Sequence, residues 1–307
     1  MRGGTQAGGS YQGGDGRLLK RMELSVIIVS YNVCALLRQA LQSLTEAARG
    51  ISNEIIVVDN NSSDGSAGMV GKDFPGVRLI VAGSNEGYSA GCNLGIMACS
   101  GEFILVLNPD TVVSPDALVL ALRFMQSHPD AGAAGAHMRD GNGRFLPESK
   151  RGFPSPLTSL FRFTGLGRLF PRSAFFNAYY LGDKPENETC HADILTGAFM
   201  LIRREALERA GLFDTDFFMY GEDIDLSWRI RKAGYFNYYL HNVRIIHFKG
   251  RSAGQDREMS IRHFYSAMYI FAGKHLGKGW HMPVKVAVTL LTTMAIARLS
   301  LCKMVKK

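Results

Sequence analysis

The stretch FILVLNPDTVV, Phe103 to Val113, decides the fold. Five consecutive apolar residues read as a buried strand, and Asn108, Pro109 and Asp110 break the run before apolar residues resume. Pro109 has no N–H and holds its predecessor in extended geometry, so the ladder ends there and Asp110 projects into whatever lies beyond. Toward the N-terminus the pattern recurs: LSVIIVSYN (Leu24 to Asn32), EIIVVDNNSSDGS (Glu54 to Ser66) and VRLIVAG (Val77 to Gly83) are apolar runs closed by polar or turn residues. Leu36, Leu37, Ala40, Leu41 and Leu44 keep helical spacing after the first run, and GYSAGCNLGIMAC reads as a helix before Phe103. Strands alternating with helices predict an α/β fold with a doubly wound, mostly parallel sheet flanked by helices. Ligands of such sheets lie beyond the carboxyl ends of the strands, which puts Ser30, Tyr31, Asp59, Asn85, Asn108 and Asp110 on one rim.

The second half reads differently. LTGAFMLIRREALERAGLFD (Leu195 to Asp214) predicts a strand and an amphipathic helix, and GEDIDLSWRIRKAG (Gly221 to Gly234) a helix with an acidic first turn and an apolar face of Leu226, Ile230 and Ala233. Leu146 to Glu188 carries no legible motif. In PVKVAVTLLTTMAIARLSLCKMVKK (Pro283 to Lys307) the uninterrupted apolar and Thr run covers only Val286 to Ala297, short of the roughly 20 residues of a membrane span, so the segment is expected to lie on a membrane. The expected organisation is a flexible Gly-rich leader (1–21), a catalytic domain (22–248, with halves 22–113 and 114–248) and a basic helical C-terminal extension (249–307).

Composition bounds the function. A chain of 307 residues, 46% hydrophobic, builds a sizeable core. Its five cysteines contain no C-x-x-C pair, which argues against a disulfide framework or a zinc site and fits a reducing cytoplasm. Of the net charge of +8, residues from Lys249 onward contribute +9, with 11 Lys and Arg against Asp256 and Glu258. A neutral body with a basic tail, including Lys303, Lys306 and Lys307, points to contact with an anionic membrane surface and away from nucleic acid.

Taken in order, SVIIVSYN, IIVVDNNSSDGS, NEGYSAGCNLGI, LVLNPD, TGAFMLIRREAL and FFMYGEDIDLSWRIRKAG resemble a family 2 glycosyltransferase of the GT-A fold. The Asn-Pro-Asp form is similar to the rhamnosyltransferase-like branch of bacterial surface-polysaccharide synthesis. The resemblance implies an inverting, metal-dependent transfer from a dTDP- or UDP-sugar, such as dTDP-rhamnose, to a saccharide or lipid-linked acceptor at the inner face of the cytoplasmic membrane. A departing diphosphate gains charge that hard Mg²⁺ or Mn²⁺ stabilises, and such ions prefer carboxylate oxygen. The family motif offers two aspartates; here the first is Asn108, leaving Asp110 as the principal ligand and Asn108 a neutral carbonyl or a ribose contact, with weaker metal binding expected.

By the same resemblance His247 in VRIIHFKG is a second metal or diphosphate ligand, and Lys249 and Arg251 could reach diphosphate oxygens. Asp59 accepts a hydrogen bond from a pyrimidine or its ribose, with Ser30 and Tyr31 against the base. Gly87 and Gly91 allow close backbone approach to the ligand, and Asn85 and Asn93 add amides. Asp223 is the base that takes the acceptor proton. Glu222, about 100° away around the helix, orients the loop or the acceptor. Asp225 pairs with Arg229 at i, i+4. Thr196 and Gly197 flank donor sugar and acceptor, and Asp193 contacts a sugar hydroxyl. Two other readings compete: a catalytically silent nucleotide-sugar or polysaccharide-binding protein on the same fold, and a nicotinamide-dependent oxidoreductase, which lacks its glycine fingerprint in SYNVCALL after the first strand.

Overall fold

In the computed structural model, which describes residues 22–250 and 257–305, the chain alternates strand and helix from the start. The first half runs β1 (Leu24–Ser30), α1 (Cys34–Ala47), β2 (Asn53–Asp59), α2 (Ser66–Asp73), β3 (Arg78–Val81), α3 (Tyr88–Ala98) and β4 (Phe103–Leu107). There follow β5 (Thr111–Val113), α4 (Ala117–Ser127), β6 (Ala131–Arg139), α5 (Pro156–Thr164), α6 (Leu166–Leu169), β7 (Cys190–His191) and β8 (Phe199–Arg203). The chain continues through α7 (Arg204–Ala210), α8 (Glu222–Lys232), β9 (Phe236–His247), α9 (Arg257–His275) and α10 (Lys278–Val305). The expected leader, 1–21, and Arg251 lie outside the described residues.

One sheet has the order β3-β2-β1-β4-β8-β6-β9-β5, with β7 beside β9. The β3-β2-β1-β4 block is parallel, as the alternating pattern predicts. Beyond it β8 runs antiparallel to both β4 and β6, while β6 and β9 are parallel. Helices cover both faces, which is why the strands read as unbroken apolar runs instead of alternating ones. Along β1, Val26 and Ile28 face α1 and α4 through Leu37, Leu41 and Leu118, whereas Ile27 and Val29 face α3 and α8 through Cys92, Ile96 and Leu226.

The break at Asn108-Pro109-Asp110 moves the chain from mid-sheet to its edge. After β4 the chain leaves its neighbours, and β5 pairs antiparallel with the end of β9, placing Thr111 opposite His247. β6, whose sequence AGAAGAHMR has no strand signature, sits centrally because small residues are required there: a Cβ on Gly132 would come within 2.5 Å of Tyr235, and one on Gly135 within 2.9 Å of Leu195. Two of the α3 glycines have the same explanation. A Cβ on Gly91 would lie 2.7 Å from Val29 and one on Gly95 2.5 Å from Ile27, so these positions let α3 approach β1 closely. The expected approach of a ligand to Gly91 is corrected accordingly: the space is filled by the protein itself.

At the C-terminus, α9 is fastened to the body. His275 Nε2 lies 2.7 Å from Asp225 Oδ1, Lys274 pairs with Asp214 and Asp216, and Phe271 packs edge-on to Trp228. The expected Asp225–Arg229 pair is also present at 2.7 Å. α10 folds back along α9. Its stretch Met282–Ser300, with mean hydropathy 1.4, is long and apolar enough to cross a membrane by length and composition, because the helix tolerates Lys285 and Arg298 at intervals of several turns; the run read from the sequence stopped at unbroken apolar residues.

Candidate active site

Beyond the carboxyl ends of β1, β2 and β4 a cavity of about 1230 Å³ opens, reaching Tyr31, Asn85, Asp110, Asp223 and His247. β5 and β9 build its first cluster. Their pairing places His247 Nε2 3.1 Å from Asp110 Oδ1, and Asp110 is almost wholly buried. Asn108 faces the same space and accepts a hydrogen bond from the Tyr88 hydroxyl at 2.9 Å. Burial pushes the Tyr88 phenol well above its ordinary pKa, so it remains a neutral donor. Tyr88 also donates to the Gly197 carbonyl at 3.2 Å, which ties the Thr196–Gly197 turn to the same wall.

Asp110 and His247 are two ligands of the kind a hard divalent cation accepts. Among the described residues no group of three or more His, Cys, Asp or Glu side chains could hold a metal alone. A divalent cation held between these two side chains would take its remaining oxygens from a bound diphosphate.

The second cluster belongs to α8. The turn leading into it is strained: Tyr220 has φ of 71° and Gly221 of 84°, and a left-handed tyrosine is held only where its surroundings dictate it. This turn presents both Glu222 and Asp223 to the cavity. Asp223 Oδ2 lies 2.6 Å from the Arg151 guanidinium, and both side chains are nearly buried. Arg151 also donates to the Leu195 carbonyl at 2.7 Å. Burial alone would lower the Arg151 pKa, but the Asp223 carboxylate overcomes it and holds the guanidinium above its ordinary value. Glu222 differs: its Oε2 has no hydrogen-bond partner among the described residues, and burial, followed by repulsion from Asp223, pushes its carboxyl up to about 8. Arg151 lies in the stretch without motifs, 72 residues from its partner, and its exchange of backbone hydrogen bonds with Ile194 fixes it there.

At the ends of β1 and β2, Ser30 and Asp59 are register partners, both buried, and Ser30 Oγ and Asp59 Oδ1 have no partner among the described residues. Asp59 Oδ2 accepts from the Ser62 N–H at 2.8 Å, so one oxygen caps the following turn while the other is unused. Tyr31 is exposed at the cavity edge. Asn60, which follows Asp59 on the rim, donates to Gly87 O at 3.0 Å and to Asn85 Oδ1 at 3.3 Å, fixing the loop before α3.

Four expected contacts are placed differently. Asn93 has both amide atoms on the Phe213 backbone, donating at 2.8 Å and accepting at 3.0 Å, so it is a structural clasp and not a ligand contact. Gly87 borders the cavity, but the room a side chain would need is occupied by Phe218, whose carbonyl lies 2.5 Å from a Cβ built there. Asp193 pairs with Arg231 at 3.3 Å. Lys249 reaches the cavity while paired to Glu148.

The parallel half, the Asp110 edge and the α8 carboxylates meeting in one cleft define a GT-A-type glycosyltransferase. The chain belongs to glycosyl transferase family 2, whose family model matches residues 25–211. It is 32% identical over 275 residues, covering 85% of this chain and 88% of the relative, to an N-acetylglucosaminyl-diphospho-decaprenol L-rhamnosyltransferase of Mycobacterium tuberculosis. It is also 28% identical over 214 residues, 68% of this chain and 62% of the relative, to the low-salt glycan biosynthesis hexosyltransferase Agl10 of Haloferax volcanii. Among solved structures, the mannosyltransferase PcManGT from Pyrobaculum calidifontis, in complex with GDP-Man and Mn²⁺, shares the fold with a TM-score of 0.55 at 20% identity, covering 94% of this chain and 81% of that one. S. aureus TarS 1-349 in complex with UDP-GlcNAc does so with a TM-score of 0.54 at 19% identity, covering 82% and 66%.

Proposed function

We propose that this enzyme transfers a sugar, rhamnose from dTDP-rhamnose foremost, with inversion to a lipid-linked saccharide in cell-surface polysaccharide synthesis. The convergence of Asp110 and His247 with Glu222 and Asp223 on one cavity carries the reading. The mycobacterial relative, aligned over most of both chains, supports the choice of donor sugar and of an N-acetylglucosaminyl-diphospho-polyprenol acceptor.

The nucleoside occupies the ends of β1 and β2, where Asp59 Oδ1 and Ser30 Oγ are available to a base or ribose. Its diphosphate lies toward Asp110 and His247, with Lys249 beside it. Mg²⁺ or Mn²⁺ held there would neutralise charge developing on the departing diphosphate. Asp223 takes the acceptor hydroxyl proton as that oxygen bonds to the anomeric carbon and the carbon–phosphate oxygen bond breaks on the opposite face. Arg151, 2.6 Å away, orients the Asp223 carboxylate. Glu222, buried beside it, retains its own proton near neutral pH and so spares the site a second buried negative charge. The silent binding module is the poorer reading, since Asp110, Asp223 and His247 are all present and line one cavity.

Incubating the full chain with dTDP-[¹⁴C]rhamnose and N-acetylglucosaminyl-diphospho-decaprenol in detergent tests this. Label in the lipid fraction is expected; nucleotide binding without transfer to any polyprenyl-linked saccharide would favour the silent module.

A further inference from the structure

The cavity is chemically divided. One wall carries the polar cluster already described; the other is formed by Leu160 and Phe163 of α5, Phe264 and Met268 of α9, and Val288 and Leu291 of α10. Its volume of about 1230 Å³ exceeds the roughly 300–1,000 Å³ typical of a small-ligand site. A sugar nucleotide is charged and hydrogen-bonding along its length, and placing it against the apolar wall would leave its polar groups without partners. A second, apolar ligand is what the remaining space suits.

α10 shows how it is lined. Val284, Val288, Leu291 and Ala295, at intervals of four, three and four residues, make a half-buried stripe along the cavity. Met282, Val286, Leu290 and Met294 make a neighbouring stripe that is 53–67% exposed. On the α5 side, Leu160 and Phe163 line the cavity while remaining 54% and 43% exposed. Apolar surface thus continues out of the cavity onto both lips. Arg162 of α5, also facing the cavity, sits 4.9 Å over the Tyr179 ring, which lines the same cavity. A cation on this cavity wall is available to an acceptor's diphosphate.

We propose that the groove walled by α5, α9 and α10 binds the polyisoprenoid chain of the acceptor, entering from the bilayer between the exposed lips, with Arg162 on its diphosphate. This rests on the reading that the acceptor is lipid-linked. Continuity with the reaction centre selects this occupant: a chain tethered to a sugar held at Asp223 must leave through the same opening. The outer stripe of α10 rests in lipid.

Photolabelling the full chain in detergent micelles with a benzophenone-bearing polyprenyl diphosphate tests the groove without requiring turnover. The expected labels fall on peptides within 156–164 and 282–295, are displaced by decaprenyl diphosphate, and weaken tenfold or more in L160Q/F163Q, whose parent side chains are exposed enough to leave folding intact. The same variant should lose tenfold or more in kcat/KM for the decaprenyl acceptor relative to an acceptor bearing an octyl chain. Labelling elsewhere, labelling displaced equally by phosphatidylcholine vesicles, or labelling blocked by a dimer that covers α10 would each overturn the proposal. Labelled groove peptides in an enzyme inactive toward both acceptors would instead strike the functional reading and leave the groove standing.

Discussion

Asp223 and Arg151 set the terms at the residue scale. The pair is nearly buried and 2.6 Å apart, so removing the cation leaves a charge without compensation. R151A is expected to destabilise the fold by about 3–5 kcal/mol, read by chemical denaturation. D223N should bind nucleotide as the parent does while turnover falls roughly 10²- to 10⁴-fold; an equal loss of both would remove Asp223 from the base role. Glu222 predicts a pH effect. Its folded pKa of about 8 lies above its unfolded value near 4.5, so the folded state holds the proton more tightly. Stability from this group is fully present below about pH 4.5 and declines as pH rises through about 8, by up to about 5 kcal/mol. The difference in unfolding free energy between E222Q and the parent should grow over that window and level off above it. That Asp110, Asp223 and His247 would line one cleft was legible because each sits inside a local motif. Arg151 was not, since its partner is distant in sequence and nothing periodic surrounds it. Asn93 shows the opposite failure: an amide in a motif-rich stretch reads as a ligand contact until Phe213, 120 residues away, is found in its grasp.

At the scale of elements, apolar runs located the parallel strands because both faces of the sheet are covered, and the acidic first turn located α8. The Asn-Pro-Asp break was legible as a strand end, yet where it leads was not, because the pairing of β5 with β9 joins residues more than 130 positions apart. β6 was invisible: alanine and glycine are poor strand formers in isolation, and only the crowding by Tyr235 and Leu195 explains them. Gly91 was noticed, but for a ligand, where the structure gives it to Val29. G91A should therefore cost about 1–3 kcal/mol in stability, seen as a lower melting temperature, with nucleotide affinity unchanged. A loss of affinity with no loss of stability would restore the ligand role.

On the scale of the whole molecule, the strand ends of the near-neutral body supply the polar wall of the cleft, and α9 and α10, joined to α8 through His275 and Asp225, bring an apolar wall to it. Composition did not reveal that these helices would complete the cavity, because their inward stripe is apolar on a helix that is apolar nearly all round. The central claim is that Asp110 and His247 bind a cation jointly with the donor diphosphate. Its most direct test is calorimetric titration of the parent and D110A with dTDP, UDP and GDP, each with and without Mn²⁺. Binding of dTDP that Mn²⁺ strengthens tenfold or more in the parent and leaves unchanged in D110A is the predicted result; an identical response to Mn²⁺ in both proteins would contradict the account.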